Sequence, residues 1–123
     1  MLVRVNLELN GHEVTLAADG DAGLVAIERD EPDLVLLDAM MPVLDGWAVL
    51  AMIETWPLES RPPVVVVSAK SGRSDIQRAL QLGATDFVAK PFEIADLLKL
   101  VGALAGAPIG TLAAHRAARL AAL

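Results

Sequence analysis

Short apolar runs alternate with helix-period patterns along this chain, which is the signature of parallel α/β units. Four stretches read as strands: Val14–Ala17, Leu34–Asp38, Val64–Ser68 and Asp86–Ala89. The runs Leu34-Val35-Leu36-Leu37 and Val64-Val65-Val66-Val67 are continuously apolar and too short for helices, as strands covered on both faces are. Helical patterns lie between them. Asp21–Asp30 ends before Pro32, and Gly46–Thr55 follows Asp45 as its N-cap and stops before Pro57. Ser74–Leu82 opens on a capping box of Ser74 and Gln77 and closes on Gly83. Glu93–Ala105 sets Ile94, Leu97, Leu98, Val101 and Leu104 on one face. The Gly/Ala/Pro-rich stretch Gly102–Gly110 reads as a linker, and Thr111–Leu123 as a short, weakly amphipathic helix.

The first residues admit two readings. Val3, Val5, Leu7 and Leu9 alternate with polar residues, and Asn10-Gly11 before His12–Ala17 is a strong hairpin signal. The helical reading puts Leu2, Val5 and Leu9 on one face, with Gly11 as the stop. Local pattern alone slightly favours the hairpin.

Composition narrows the class without naming a function. Hydrophobic residues make up 54% of the 123 and charged ones 21%, which fits one globular domain rather than a disordered chain. No apolar run approaches the length of a membrane span, and no signal-peptide pattern follows Met1. The lack of cysteine excludes disulfide frameworks and thiolate metal sites and fits a cytoplasmic location. Residues 1–96 hold sixteen acids and seven bases, a net −9, while Lys99, Arg116 and Arg119 leave the remainder at +3. An acidic body with a basic, Ala-rich tail carries no basic stripe for nucleic acid.

Chemistry is expected where an open parallel sheet presents the carboxyl ends of its strands. Three strand ends carry polar residues in apolar surroundings: Asp38, Ser68 and Lys90. A carboxylate can attack a phosphoryl group to form an acyl phosphate, a lysine can hold a phosphoryl oxygen as a point charge, and a hydroxyl can donate to another. On spacing alone a plain structural salt bridge between Asp38 and Lys90 is as good a reading, because polar residues are common where strands run into loops.

The segment Asp33-Leu34-Val35-Leu36-Leu37-Asp38-Ala39-Met40-Met41-Pro42-Val43-Leu44-Asp45-Gly46 resembles the phosphoacceptor segment of bacterial two-component response-regulator receivers. Val64–Lys70 is similar to that family's fourth strand with its hydroxyl residue, and Gly83–Phe92 to its fifth strand with lysine and proline. Gly11–Val14 and Ala18–Gly20 also fit, so the likeness covers roughly residues 1–105 with its motifs in register. The resemblance implies an α/β, flavodoxin-like (receiver-type) three-layer sandwich with a parallel sheet, a receiver over residues 1–105 and a basic tail of linker plus short helix over 106–123. It makes Asp38 the phosphoacceptor, Ser68 and Lys90 the phosphoryl ligands, Lys90–Pro91 a cis peptide, and Phe87 the aromatic whose orientation tracks Ser68. It implies a sensor histidine kinase or phosphotransfer protein as partner, and a signalling domain rather than an enzyme acting on a separate substrate.

The same resemblance implies Mg²⁺ held by Asp38, the backbone carbonyl of Met40 and a pair of acids ending a first strand. Counting back from Asp38, that strand and both acids fall before Met1, so the first strand is expected to be missing and residues 2–10 to form the first helix. Glu8, Glu13 and Asp19 do not stand where the pair would. Losing about four buried aliphatic side chains removes roughly 6–12 kcal/mol of transfer free energy. It also opens strand edges, and association into a homodimer is the favoured relief. The alternatives to a phosphorelay receiver are a non-phosphorylated pseudo-receiver acting as an interaction module, and a fragment of a longer regulator.

Other residues support less. His12 and His115 read as solvated surface histidines. Trp47 and Trp56, nine apart on one helix, do not share a face, and one is expected to be exposed. Met40 and Met41 read as loop packing residues, with Met40 and Lys70 flanking the site where side chains tune acyl-phosphate lifetime in the family. There is no glycine-rich phosphate loop, and Asp38-Ala39-Met40 lacks the second aspartate of a haloacid-dehalogenase-type phosphatase.

Overall fold

Strands β1 (Val35–Asp38), β2 (Val64–Ser68) and β3 (Asp86–Ala89) form one parallel sheet in the order β1-β2-β3. The structure, a computed structural model, describes residues 2–40 and 45–123. Val35 pairs with Val64 and Asp38 with Val67, and then Val65 with Asp86 and Ser68 with Ala89. Helices α1 (Leu2–Leu9) and α2 (Gly20–Asp30) precede the sheet, α3 (Gly46–Glu54) and α4 (Arg73–Gln81) cross between its strands, and α5 (Ile94–Leu104) and α6 (Ile109–Ala121) follow.

Successive strand side chains point to opposite faces, and the runs of aliphatic residues use both. Val35, Leu37, Val64, Val66 and Phe87 face a core closed by Ile27 of α2, Val49, Leu50 and Ile53 of α3 and Ala79 of α4. Leu36 and Val88, with Leu34, face a smaller core made by Leu7 of α1 and Leu97 and Val101 of α5. Three layers result, and β2 is buried along its whole length. The parallel register brings the carboxyl ends of the three strands to one edge of the sandwich.

The N-terminal segment is the helix. Gly11, at φ +86°, supplies the left-handed residue after α1, and the N–H groups of His12 and Gly11 donate back to the carbonyls of Leu7 and Glu8 at 3.1 Å each. The buried face differs from the expected one. Leu7 and Val3, four residues apart, pack toward Leu97 and Val101, whereas Val5 and Leu9 are 52% and 78% exposed. The predicted strand Val14–Ala17 is not formed. Strand composition alone does not make a strand, and these residues pair with none of the three strands. Here Val14 packs on the smaller core instead, and Asp19 already caps α2 by accepting the Ala22 N–H at 2.9 Å.

Other boundaries shift modestly. Asp45 caps α3 as expected, accepting the Ala48 N–H at 2.9 Å. The start of α4 lies two residues earlier than the Ser74–Gln77 box: Gly72 is the N-cap, and its N–H donates to Asp75 at 3.2 Å. The Gly102–Gly110 stretch is not a continuous linker, because α5 runs to Leu104 and α6 starts at Ile109. Both tryptophans are half-buried against the larger core, and Trp47 is further covered by the Arg78 guanidinium, 4.1 Å from the ring centre. No helix among the described residues is long and apolar enough to cross a membrane.

Candidate functional site

The site is built at the carboxyl edge of the sheet. Asp38 is the last residue of β1, and Ala39 just after it lies tight against the start of α3. The N–H of Gly46 donates to the carbonyl of Ala39 at 3.2 Å. Gly46 lies so close that a Cβ there would overlap the Asp38 carbonyl oxygen. Only glycine lets the helix start this near the strand end.

From β1 the Asp38 carboxylate reaches two donors. Its Oδ1 accepts the Met40 N–H at 2.9 Å, and its Oδ2 accepts from Lys90 Nζ at 2.8 Å. Lys90 follows β3 directly, its N–H held by the Ser68 carbonyl at 2.9 Å, and the Lys90–Pro91 peptide is cis. Partial burial pushes the Asp38 carboxyl up, but the hydrogen bonds from Lys90 and Met40 and the lysine's charge outweigh it, so the group sits below the ordinary carboxylate range. Both partners are more than two-fifths exposed. Exposed pairs of this kind contribute only about 0–1 kcal/mol. The pair is therefore a weak contribution to stability, and its geometry suits chemistry on an accessible carboxylate.

Ser68 ends β2 between the other two strand ends and is buried, its Oγ accepting the Lys70 N–H at 3.1 Å. That bond leaves the hydroxyl proton free to donate. Phe87 is buried in the larger core beside Leu37 and Val66, with its ring directed away from solvent. Met40 is 73% exposed rather than packed. Met41 and the rest of the stretch 41–44 lie outside the described residues.

The donor set for a divalent cation is thin. Asp38 is the only carboxylate of the predicted set, and both its oxygens already accept hydrogen bonds. Asp19 and Asp45 are occupied as helix caps. No group of three or more acids or histidines able to hold a metal occurs among the described residues. Mg²⁺ binds with one or two carboxylates plus phosphate oxygens, so these residues alone do not fit it.

Sequence reasoning missed one feature of β3. Asp86 is buried at the start of the strand, and its two carboxylate oxygens take His115 Nε2 and Arg119 Nε of α6 at 2.7 Å each. His115 is therefore not a solvated histidine. The pattern held a clue, since an aspartate opening an apolar strand needs a partner.

Comparison with known proteins agrees with this architecture. The family model for the response regulator receiver domain matches residues 1–102. The response regulator PleD of Caulobacter vibrioides is 38% identical over 103 residues, covering 84% of this chain and 23% of PleD. The transcriptional regulatory protein PrrA of Mycobacterium tuberculosis is 40% identical over 98 residues, 80% of this chain and 41% of PrrA. The chain thus spans less than half the length of these curated relatives. Among solved structures, the receiver domain of the Francisella response regulator 1452 superposes with a TM-score of 0.78 at 31% identity, covering 84% of each chain. The receiver domain of the sensor histidine kinase PA1611 from Pseudomonas aeruginosa, solved with a magnesium ion in its active site cleft, gives 0.75 at 32% identity over 86% of this chain and 87% of its own. A match of this extent, in sequence and in fold, places the chain in the response regulator receiver domain family of two-component signalling.

Proposed function

We propose that this chain receives a phosphoryl group on Asp38 from the phosphohistidine of a sensor kinase or phosphotransfer protein. The observation that carries the reading is the exposed Asp38 carboxylate at the strand end with Lys90 Nζ 2.8 Å away. A carboxylate oxygen attacks phosphorus, the P–N bond to the donor imidazole breaks, and the electron pair stays on that nitrogen, which takes a proton from solvent. Lys90, already at the carboxylate, turns its charge to a phosphoryl oxygen. The Ser68 hydroxyl donates to another. Charge on the transferring group is otherwise poorly neutralised by the described residues, so reaction with small donors is slow.

The test is incubation with acetyl phosphate or phosphoramidate, followed by intact mass and peptide mapping. One phosphoryl group on Asp38, absent in Asp38→Asn and reduced in Lys90→Gln, is expected. Labelling that persists in Asp38→Asn overturns the assignment. A chain that no small donor and no phosphohistidine protein labels is a pseudo-receiver, a reading supported by the want of any group of three or more acids or histidines able to hold a metal among the described residues.

A further inference from the structure

Beyond residue 102 the chain leaves the family match, yet α6 does not trail into solvent. It lies along the flank of α4 and the outer edge of β3, where the sheet ends. The way it is held differs from the other long helices. Each of α2, α3, α4 and α5 buries at least two residues, whereas α6 buries none over thirteen. Its leucines, Leu112 and Leu120, are only partly buried, so its apolar hold is weaker than that of the other helices.

Polar contacts do the holding, and they converge. His115 and Arg119 are four apart on one helical face and take the two oxygens of the same carboxylate, Asp86. Between them Arg116 donates to the Leu80 carbonyl at 3.0 Å, near the C-terminal end of α4, where a cation is favoured. At the root of the helix the Gly106 N–H donates to the Asp33 carbonyl at 3.2 Å. Asp86 is 6% exposed, but its partners on α6 are about one-third exposed, so solvent reaches the cationic side of the contact.

We propose that α6 is a detachable cover over the outer edge of β3 and the flank of α4, keyed to Asp86, which opens without unfolding the domain beneath it. Detached, a helix of thirteen residues is marginal in water even with its five alanines, so opening also unravels it. Opening uncovers two side-on acceptors, the Asp86 carboxylate and the Leu80 carbonyl, together with the outer edge of β3. Asp86 and Lys90 bracket the four-residue strand β3, so the cover is fastened to the strand that leads into the Asp38 site.

Amide hydrogen exchange on the full chain tests this. Amides of residues 110–121 should exchange at least about tenfold faster than those of β2, the difference expected of local against global opening. In about 1 M salt, where exposed charges are screened, their rates should rise several-fold while those of β2 hold steady. His115→Gln with Arg119→Gln should produce the same rise at low salt. Both changes are on the cover, so a folding defect in the body does not confuse the result, and Asp86→Asn supplies the matching change on the other side. Exchange of α6 at the same rate as β2, rising and falling with it, would show that the helix is an integral part of the fold. Fast exchange indifferent to salt and to all three substitutions would show that Asp86 is not the key.

Discussion

Two glycines at helix positions are expected to respond to alanine with opposite signs, and the contrast measures how closely the end of β1 meets the start of α3. At Gly46, the first residue of α3, an added Cβ would overlap the Asp38 carbonyl oxygen and stand 2.6 Å from the Ala39 Cα. Ordinary contacts there begin at 3.4 Å, and both obstructing atoms are backbone, so the loop or the helix must move by the better part of an ångström. Overpacking of this order costs about 1–3 kcal/mol. Helix propensity works the other way, by up to about 1 kcal/mol. The steric effect wins, for a net loss of about 1–2 kcal/mol. Gly102, inside α5 and exposed, meets nothing within 4 Å, and only propensity acts there. Gly102→Ala should stabilise by about 0.5–1 kcal/mol.

Urea unfolding followed by intrinsic fluorescence suits the measurement, because Trp47 and Trp56 both pack on the larger core. With a slope of about 1–3 kcal/mol per molar, the Gly46→Ala midpoint should fall by roughly 1 M and the Gly102→Ala midpoint should rise by a smaller step. Gly46→Ala should also impair labelling of Asp38, since the displaced atoms are that residue's own carbonyl and its neighbour. A Gly46→Ala protein as stable as its parent would show that the strand end and α3 are not in the contact described here.

Three further outcomes are expected. The folded-state pKa of Asp38 lies below its ordinary value, so its contribution to stability is present above the unfolded-state pKa and is lost as pH falls through the folded one. Lys90→Gln should raise that pKa in a carboxyl NMR titration, and an unmoved value would mean the two side chains do not pair in solution. Leu80→Ala, at a fully buried position of α4, should cost about 2–5 kcal/mol and lower Tm by roughly 8–20 °C; a drop of a degree or two would contradict the packing. The outer edge of β1 pairs with no strand among the described residues, and an open edge recruits others. Sedimentation should therefore show a concentration-dependent dimer, and a strict monomer up to high concentration would remove that expectation.

Much of the fold was legible because its signals are local and redundant. The four-residue valine run of β2 is buried from end to end, and no amphipathic reading of it competes. Asp45 before Gly46 and Gly83 after α4 are boundary residues whose effect depends on backbone geometry alone. Where local signals conflicted, they conflicted for a reason. A left-handed glycine ends a helix as readily as it turns a hairpin, so Asn10-Gly11 could not decide between them. Val14–Ala17 has strand composition, but a strand needs a neighbour, which is a property of the assembled sheet. That Asp38, Ser68 and Lys90 come to one edge could be read from the sequence, because parallel topology sends strand ends there whatever the helices do.

Asp86 and α6 show where that kind of reasoning stops. An aspartate at the mouth of an apolar strand signals that some partner exists, but twenty-nine residues separate it from His115 and thirty-three from Arg119. A tail rich in alanine and carrying two arginines reads from sequence as a short, weakly amphipathic helix with nothing to say where it docks. Its docking centres on a buried carboxylate that the sheet has already placed, helped by the Leu80 carbonyl. Held at Asp86, the tail shields a buried charge that would otherwise meet water at the sheet edge. Released, it returns that charge to solvent, so the strand leading to Lys90 has two electrostatic environments selected by the position of a helix outside the family match.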